Sequence, residues 1–213
     1  MNRSDEIKHA LAYFSDPHHL HSYEILEGTG SVLISAPHAV LQTRNGRIKQ
    51  AERYTGMLAK LINTHMNVPC IYKSRHMLDD ANHDPTSDYR DALVDYVRDH
   101  EIRYVLDLHQ LAPTRPMALC IGTGEGANLQ GDSRAVTIIG DAFAVHGLDP
   151  ITIDDPFTGG RDHTVSSTVS KACNVCALLL ELNTALLLED TAACRFLQVW
   201  DALSEAITAL QND

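Results

Sequence analysis

The chain has 213 residues, of which 44% are hydrophobic, so it is long enough and apolar enough to bury a full core. It carries 28 Asp and Glu residues against 17 Lys and Arg residues, which gives a formal net charge of −11 at neutral pH. This balance argues against a nucleic-acid partner and against binding to an anionic membrane surface, because both depend on clustered Lys and Arg. It leaves room for a local basic pocket that binds a small anion.

The start of the chain and its cysteines indicate a cytoplasmic protein. The segment MNRSDEIKHALAYF has charges throughout and lacks the apolar core of a secretory signal. The longest apolar stretch, VCALLLEL, is too short to span a bilayer. Five cysteines, an odd number, fit a reduced compartment better than a disulfide framework. We interpret the CxxC pair of Cys173 and Cys176 as buried and apolar, with a structural zinc or redox site as the alternative.

Short apolar runs alternate along the chain with segments whose apolar residues recur at helical spacing. In chain order the sequence predicts helix 5–14, strand 31–35, helix 52–65, strand 69–74, a helix capped by Thr86 or Ser87, strands 103–108 and 117–122, helix 133–146, strand 174–182 and a C-terminal helix from Phe196 to Leu210. Strands that are apolar on both faces and separated by helices favour an α/β fold. We expect one domain over residues 1–213, a three-layer α/β/α hydrolase-like architecture with a mostly parallel or mixed central sheet.

Side chains that can bind a metal ion lie at the ends of three of these segments. His38 follows the first predicted strand, Glu52 opens the next helix, and His109 ends the strand that begins near residue 103. Two imidazoles and one carboxylate with an open position form a common catalytic zinc set. We therefore predict one zinc ion per chain on these residues, with another divalent ion as the alternative. Asp107 points to the same face of its strand as His109 and could orient it.

A further carboxylate, Glu181, lies inside the apolar run CALLLELN. Burying an ionised carboxylate without a partner is costly, so this group needs a cation, a metal-bound water or a proton. An apolar pocket would raise its pKa, which suits a general base. The alternative is a glutamate at the end of a strand that bonds to a nearby arginine or backbone amide.

Five short motifs occur in an order that resembles the N-formylglutamate amidohydrolase family, whose relatives include zinc carboxypeptidases and deacylases. They are LISAPHAV, KSRHMLDDAN, VLDLHQ, DPFTGG and LLLELN, and together they extend from about residue 31 to about residue 190. The resemblance implies a three-layer α/β/α hydrolase with one zinc ion and an activated water. The chain departs from the family pattern at Val40, His83 and Gln110, which leaves the metal site intact and makes formylglutamate itself an open question as the substrate.

The same resemblance assigns roles to residues outside the predicted metal set. It implies that Arg75 and Asn82 hold a substrate carboxylate and that Glu181 is the general base. It also matches a loop to the family's PFxGG motif, whose members here are Pro156, Phe157, Gly159 and Gly160, followed by Arg161 and His163. Gly160 and His163 are further candidates for binding the substrate. Arg161 is a candidate to stabilise the oxyanion or to bind an anionic substrate group, because its planar fork matches oxygen anions.

These observations favour a zinc-dependent amidohydrolase that cleaves the amide of an N-acyl amino acid or a short glutamyl-like substrate. The expected partner is a small molecule that carries a carboxylate, with no nucleic acid and no membrane, and the oligomeric state, including a homo-oligomer, stays open. One alternative is a metal-binding or ligand-binding domain of the same fold that has lost hydrolysis. A second is a metal-free α/β domain whose histidines are structural.

Overall fold

The computed structural model describes residues 3–188 and 195–212. The helices in these ranges are α1 (Arg3–Tyr13), α2 (Arg53–Met66), α3 (Asp88–Asp99), α4 (Arg134–Val145), α5 (Val165–Cys173) and α6 (Phe196–Asn212). The strands are β1 (Tyr23–Leu26), β2 (Val32–Ala36), β3 (Gln42–Arg44), β4 (Arg47–Lys49), β5 (Cys70–Lys73), β6 (Tyr104–Leu111), β7 (Leu119–Gly122), β8 (Ile151–Ile153) and β9 (Cys176–Asn183). Two 3₁₀ turns, Ala127–Leu129 and Thr184–Leu186, complete the regular structure of these ranges.

Seven strands form one mixed sheet in the order β1-β5-β2-β6-β9-β7-β8. The central strands β5, β2, β6 and β9 are parallel, whereas β1 and β7 pair antiparallel with β5 and β9. The four parallel strands have their carboxyl ends at the same edge, where ligands gather in α/β folds. A separate two-stranded hairpin, β3–β4, follows β2 at this edge.

Helices cover both faces of the sheet and create two apolar cores. Helices α1, α2, α4 and α6 pack on one face, with Leu58, Phe143 and Leu203 fully buried there. Helices α3 and α5 pack on the other face, where Leu93 and Val169 are fully buried. The predicted three-layer α/β/α architecture with a mixed sheet is confirmed. Within residues 3–188 and 195–212, no helix is both long and apolar enough to cross a membrane.

The long elements of the core agree with the predictions from sequence, and the differences involve short segments. Ser87 caps α3 by accepting a hydrogen bond from the backbone of Arg90, and α4 includes Gly140 without interruption. The strands β1, β3, β4 and β8 have three or four residues each and were not predicted. Helix α5 was also not predicted; it begins at Val165, and the Thr164 side chain caps it by accepting the backbone N–H of Ser167.

Candidate metal centre

His38 and Glu52 are brought together by the segment that joins β2 to α2. The chain turns after Ala36, and the backbone N–H of Glu52 donates to the carbonyl oxygen of His38 at 2.8 Å. The His38 Nδ1 lies 3.0 Å from the Glu52 Oε1. The two residues are therefore adjacent in space although thirteen residues separate them in the chain.

Glu52 is the residue before the first turn of α2, yet its side chain does not cap that helix. Its Oε2 instead accepts the backbone N–H of Gln110 in β6 at 3.0 Å, while the Gln110 Oε1 accepts the backbone N–H of Tyr54. The carboxylate thus leaves its own helix and lies against β6. Its position at the positive end of the helix dipole also stabilises its negative charge.

His109 completes a set of three ligand atoms. Its Nδ1 lies 3.2 Å from the His38 Nδ1 and 3.3 Å from the Glu52 Oε2. The three residues each offer one ligand atom, and these atoms all lie within 4.8 Å of one another. A tetrahedral ion with bonds of about 2.0–2.1 Å separates its ligand atoms by roughly 3.3 Å. The spacing and the donor types therefore fit a divalent metal ion, and the structure brings together the three residues predicted as ligands.

Each imidazole is oriented from behind by a buried aspartate. The His109 Nε2 lies 3.0 Å from the Asp107 Oδ2, and the His38 Nε2 lies 3.0 Å from the Asp80 Oδ1. Carboxylates in this position fix the tautomer of a metal-binding histidine and make it a better ligand. Both Nδ1 atoms are therefore directed to the shared ligand position. Asp107 has the orienting position expected from the sequence.

The two aspartates are themselves held by different groups. The Asp107 Oδ1 accepts the Ser35 hydroxyl at 2.7 Å, and the Ser35 Oγ lies 2.9 Å from the phenolic oxygen of Tyr89. The Asp80 Oδ2 instead accepts the Arg44 Nε–H at 2.8 Å. One outer carboxylate thus sits in a neutral buried network, and the other is paired with a cation at the edge of the site.

The charges of this cluster favour a cation. Burial lowers the pKa of His38 and of His109, but the neighbouring carboxylates outweigh it and raise both above the usual histidine value. Burial raises the pKa of Glu52, but the two imidazoles outweigh it and hold that pKa below its usual range. The carboxylates thus favour protons at the imidazole nitrogens that an ion would occupy. A divalent ion would displace those protons, so its affinity should rise with pH.

Glu181 lies next to this cluster on β9. It pairs in register with His109, since β6 and β9 are parallel neighbours. Burial raises its pKa to about 7, the charges of His109 and His38 lower it, and those of Glu52 and Asp107 raise it. In the part of the chain that the structure describes, its carboxylate has no hydrogen-bond or ion-pair partner. The alternative of a glutamate bonded to arginine or a backbone amide is therefore not what the described residues show.

The metal cluster and Glu181 line one cavity of about 310 Å³. Four basic or potentially basic side chains line it as well: Arg44, Lys49, His83 and Arg161. The loop that resembles PFxGG forms the opposite wall, where Pro156, Phe157, Thr158 and Gly159 line the cavity. A volume near the lower end of the range for ligand pockets suits a small ligand or the end of a larger one.

Three of the residues predicted to bind substrate make other contacts in the structure. Asn82 lines the cavity, but its Oδ1 already accepts the backbone N–H of Val165 at the start of α5. Gly160 packs against Gly124, where an added Cβ would lie 2.7 Å from the Cα of Gly124, so its role is close packing of two loops. His163 is exposed, does not line the cavity, and its carbonyl oxygen accepts a bond from Arg90.

Arg75 does not line this cavity, so the structure gives no contact that supports its predicted role in binding the substrate carboxylate, which stays a prediction. It lines a second cavity of about 490 Å³ near Phe14, and its Nη1 donates to the carbonyl oxygen of His19. β5 ends at Lys73, and the backbone N–H groups of Ser74 and Arg75 then donate to the carbonyl oxygen of Ser22, just before β1. Arg44 of the hairpin lines the metal cavity instead, and its short polar strand gives no sign of this position in the sequence.

Arg90 is a second residue that sequence reasoning missed. It is buried, and its guanidinium donates to the carbonyl oxygens of Ala81 and His163, and to those of Asp84 and Pro85. It therefore joins the loop that carries Asp80 to the loop that precedes α5. A signal for this role was absent, because an arginine on a helix face is ordinarily exposed.

Comparison with known proteins gives a fold rather than a family. No protein-family model and no curated protein matches the chain. A bacteriophage poly-gamma-glutamate hydrolase matches in structure with a TM-score of 0.57 and 11% identity, over 91% of this chain and 92% of that chain. The succinylglutamate desuccinylase from Chromobacterium violaceum matches with a TM-score of 0.54 and 16% identity, over 97% and 77% of the two chains. A metallo-carboxypeptidase from Burkholderia cenocepacia matches with a TM-score of 0.52 and 13% identity, over 95% and 68%.

At these identities the likeness shows the architecture alone. The three neighbours are hydrolases, so this chain has a fold related to that of metallo-carboxypeptidase and desuccinylase structures. None of these three structures is described as an N-formylglutamate amidohydrolase, so the resemblance to that family stays a prediction.

Proposed function

We propose that this chain is a metal-dependent hydrolase of amide bonds that acts on an N-acyl amino acid or a short glutamyl-like amide, as N-formylglutamate amidohydrolases do. One observation carries the proposal. A largely buried glutamate without a described partner, Glu181, shares a cavity with three convergent ligand atoms of His38, Glu52 and His109. A domain that only bound a metal or a ligand would have no need of this additional carboxylate.

The three convergent donor residues are the proposed metal ligands. The His38 Nδ1, the His109 Nδ1 and the Glu52 carboxylate would hold a divalent ion, with zinc as the ion that this set most often binds. Such an ion, when bound, supplies positive charge that acidifies water and polarises a carbonyl group. Asp80 and Asp107 hold the two imidazoles in the orientation that ligation requires.

Glu181 is the proposed general base. Burial raises its pKa above that of an exposed carboxyl group, which suits a group that must both accept and donate a proton. It takes a proton from water as the water oxygen bonds to the amide carbon. It then gives that proton to the nitrogen as the C–N bond breaks. The products are a free carboxylate and a free amine.

The basic side chains of the cavity are proposed to bind the substrate carboxylate. Arg44 donates to Asp80 through Nε only, so its two terminal nitrogens have no protein acceptor among the described residues. Arg161 lies on the opposite wall and is exposed, and it is the proposed group for the developing oxyanion. Asn82 keeps its amide nitrogen for the substrate while its oxygen binds Val165. Arg44 therefore replaces Arg75 as the proposed carboxylate clamp.

The test is a screen of N-acyl amino acids with the purified protein, in which metal content and released amine are both measured. We expect about one zinc or other divalent ion per chain and hydrolysis of N-acyl-glutamate or a close analogue. Glu181→Gln should retain the metal and lose most of the activity, by about 100-fold or more. A variant that keeps the activity would refute the role of Glu181. A parent protein that binds metal and cleaves nothing would favour the inactive binding domain.

A further inference from the structure

The β3–β4 hairpin carries a cluster of positive charge at the mouth of the metal cavity. Its register pairs Gln42 with Lys49 and Arg44 with Arg47. Side chains alternate along a strand, and directly paired residues share a face, so these four side chains lie on one face of the hairpin. That face, which we call the cationic face, therefore carries Arg44, Arg47 and Lys49.

This face is directed to the metal cavity. Arg44 and Lys49 both line it. The Gln42 side chain donates to the carbonyl oxygen of His38 and anchors the base of the hairpin beside the first ligand. The opposite face carries Thr43, whose hydroxyl lies 2.8 Å from the His76 Nε2 on the side of the second cavity. The hairpin thus separates the two cavities and turns its basic residues to the one with the metal ligands.

The basic residues of the hairpin are poorly neutralised by the protein itself. Arg44 has Asp80 as an ion-pair partner. In residues 3–188 and 195–212, neither Arg47 nor Lys49 forms an ion pair, and both are exposed. Like charges directly opposite each other across a hairpin are unfavourable, as in the Arg44–Arg47 pair. The chain as a whole has a net charge of −11, and this local cluster of positive charge does not stabilise the hairpin, so we look for its role in ligand binding.

We propose that the cationic face binds the anionic tail of an extended acidic substrate, a peptide of acidic residues whose reactive end lies at the metal cluster. The inference rests on the proposed function, and it adds that the substrate has several carboxylates rather than one. Alternate side chains of an extended peptide are about 7 Å apart, which is also the separation of Arg47 from Lys49 along β4. An acidic peptide that ran along the hairpin would match these cations with successive carboxylates.

Nucleic acid is the other polyanion that such a face could attract. The acidic surface of the rest of the chain opposes it, because a phosphate backbone needs positive charge over a long track. The cavity at the end of the face, with its metal ligands and a glutamate base, also suits an amide rather than a phosphodiester.

The experiment measures binding by calorimetry to the full chain loaded with zinc, with Glu181→Gln introduced so that the probes are not consumed. The probes are N-acetylglutamate, N-acetyl-tetraglutamate and a ten-residue oligothymidylate. We expect the tetraglutamate to bind about 10-fold more tightly than the single residue at low salt. The double variant Arg47→Gln/Lys49→Gln should remove that advantage. The single variant Arg47→Gln, at a position that does not line the metal cavity, should lower the advantage and change the affinity for N-acetylglutamate by less than about twofold.

Two controls separate the hairpin from net charge and from folding. Lys8→Gln/Arg98→Gln removes the same charge from α1 and α3 and should keep the tetraglutamate advantage. Arg47→Lys/Lys49→Arg keeps the charge of the hairpin and should keep it as well. Both hairpin positions are exposed, so thermal unfolding should show these variants folded.

The outcomes distinguish this inference from the proposed function. Equal affinity for the two acidic probes, or equal losses in the hairpin and control double variants, would overturn the inference even if the parent hydrolyses N-acyl-glutamate. Tetraglutamate binding that depends on the hairpin, with no hydrolysis of any amide by the parent, would support the inference and refute the function. Stronger binding of the oligothymidylate through Arg47 and Lys49 would overturn the assignment to a peptide.

Discussion

Glu181 of β9 lies beside His109 of β6 at the same level of two parallel strands. One strand thus supplies a candidate metal ligand, and its neighbour supplies a carboxylate that has no partner among the described residues, both near the edge where the parallel strands end. The sheet fixes their separation, because hydrogen-bonded neighbours lie about 4.8 Å apart. The sheet therefore sets the separation between this metal ligand and the proposed base.

The metal site predicts a loss of metal from single ligand variants. His38→Ala and His109→Ala should each retain less than about a tenth of the bound ion after dialysis, because removal of one of three ligands opens the site. His163→Ala is the matched control, since that histidine is exposed and lies outside the cavity. Elemental analysis of the dialysed proteins measures the result. Full occupancy in both ligand variants would contradict the site.

The raised pKa of Glu181 predicts a pH dependence of stability in the metal-free protein. Its pKa is about 7 in the folded state against 4.5 when unperturbed, so the folded state binds this proton more tightly. The contribution is therefore fully present below about pH 4.5 and is lost as the pH rises through 7. Glu181→Gln lacks this loss and should gain about 2 kcal/mol relative to the parent between pH 5 and pH 8.

Urea unfolding of both proteins at the two pH values measures that difference. Glu125→Gln serves as the control, because this glutamate is exposed on a separate loop. A parent whose stability changes with pH in parallel with Glu181→Gln would show that the carboxyl group is not perturbed.

The outer aspartates predict a graded effect on metal affinity. Asp107→Asn and Asp80→Asn should each weaken metal binding by about 10- to 100-fold, since they orient the two imidazoles. Ser35→Ala acts one bond further out, through Asp107, and should weaken binding less. Competition with a chelator of known affinity measures all three. An effect of Ser35→Ala larger than that of Asp107→Asn would contradict the proposed order.

The positions of Arg44 and Arg75 predict that their substitution has different effects on KM. Arg44→Gln should raise KM for N-acyl-glutamate by about 10- to 100-fold, because a charge-assisted hydrogen bond contributes about 1.5–3 kcal/mol. Arg75→Gln should leave KM within about twofold of the parent, because it lines the other cavity. The reverse result would restore the role that the family resemblance gave to Arg75.

Arg90 predicts a structural effect. Its guanidinium satisfies four backbone carbonyl oxygens from two loops. Arg90→Met keeps an unbranched apolar chain close to the aliphatic part of arginine and leaves those oxygens without this donor, so it should lower the free energy of unfolding by about 3 kcal/mol. Chemical unfolding measures the loss. A loss below about 0.5 kcal/mol would show that water replaces the guanidinium without cost.

The metal ligands could be predicted from the sequence because each lies next to the end of a strongly patterned strand or helix. The run SVLISA ends before His38, and RYVLDL ends before His109, so the sheet itself brings them to one edge. Asp80 could not be found in this way. It comes from an irregular loop without periodicity, and only the folded chain shows that it lies behind His38.

The hairpin was missed although its turn is visible in the sequence. Asn45 and Gly46 both have positive φ, at 53° and 72°, as the tightest hairpin turn requires. The three-residue strands beside them, QTR and RIK, are polar and give too short a pattern to be recognised as strands. Helix α5 was missed for a similar reason, since VSSTVS is rich in residues of low helix propensity.

The backbone hydrogen bond from Glu52 to His38 closes the intervening segment into a loop, and the base of this loop lies beside the proposed metal position. The hairpin projects from that closed base. Its tip can therefore change in length and sequence without displacing either residue of the base. Related proteins could acquire new substrate preferences by exchanging this segment alone, with their catalytic apparatus unaltered.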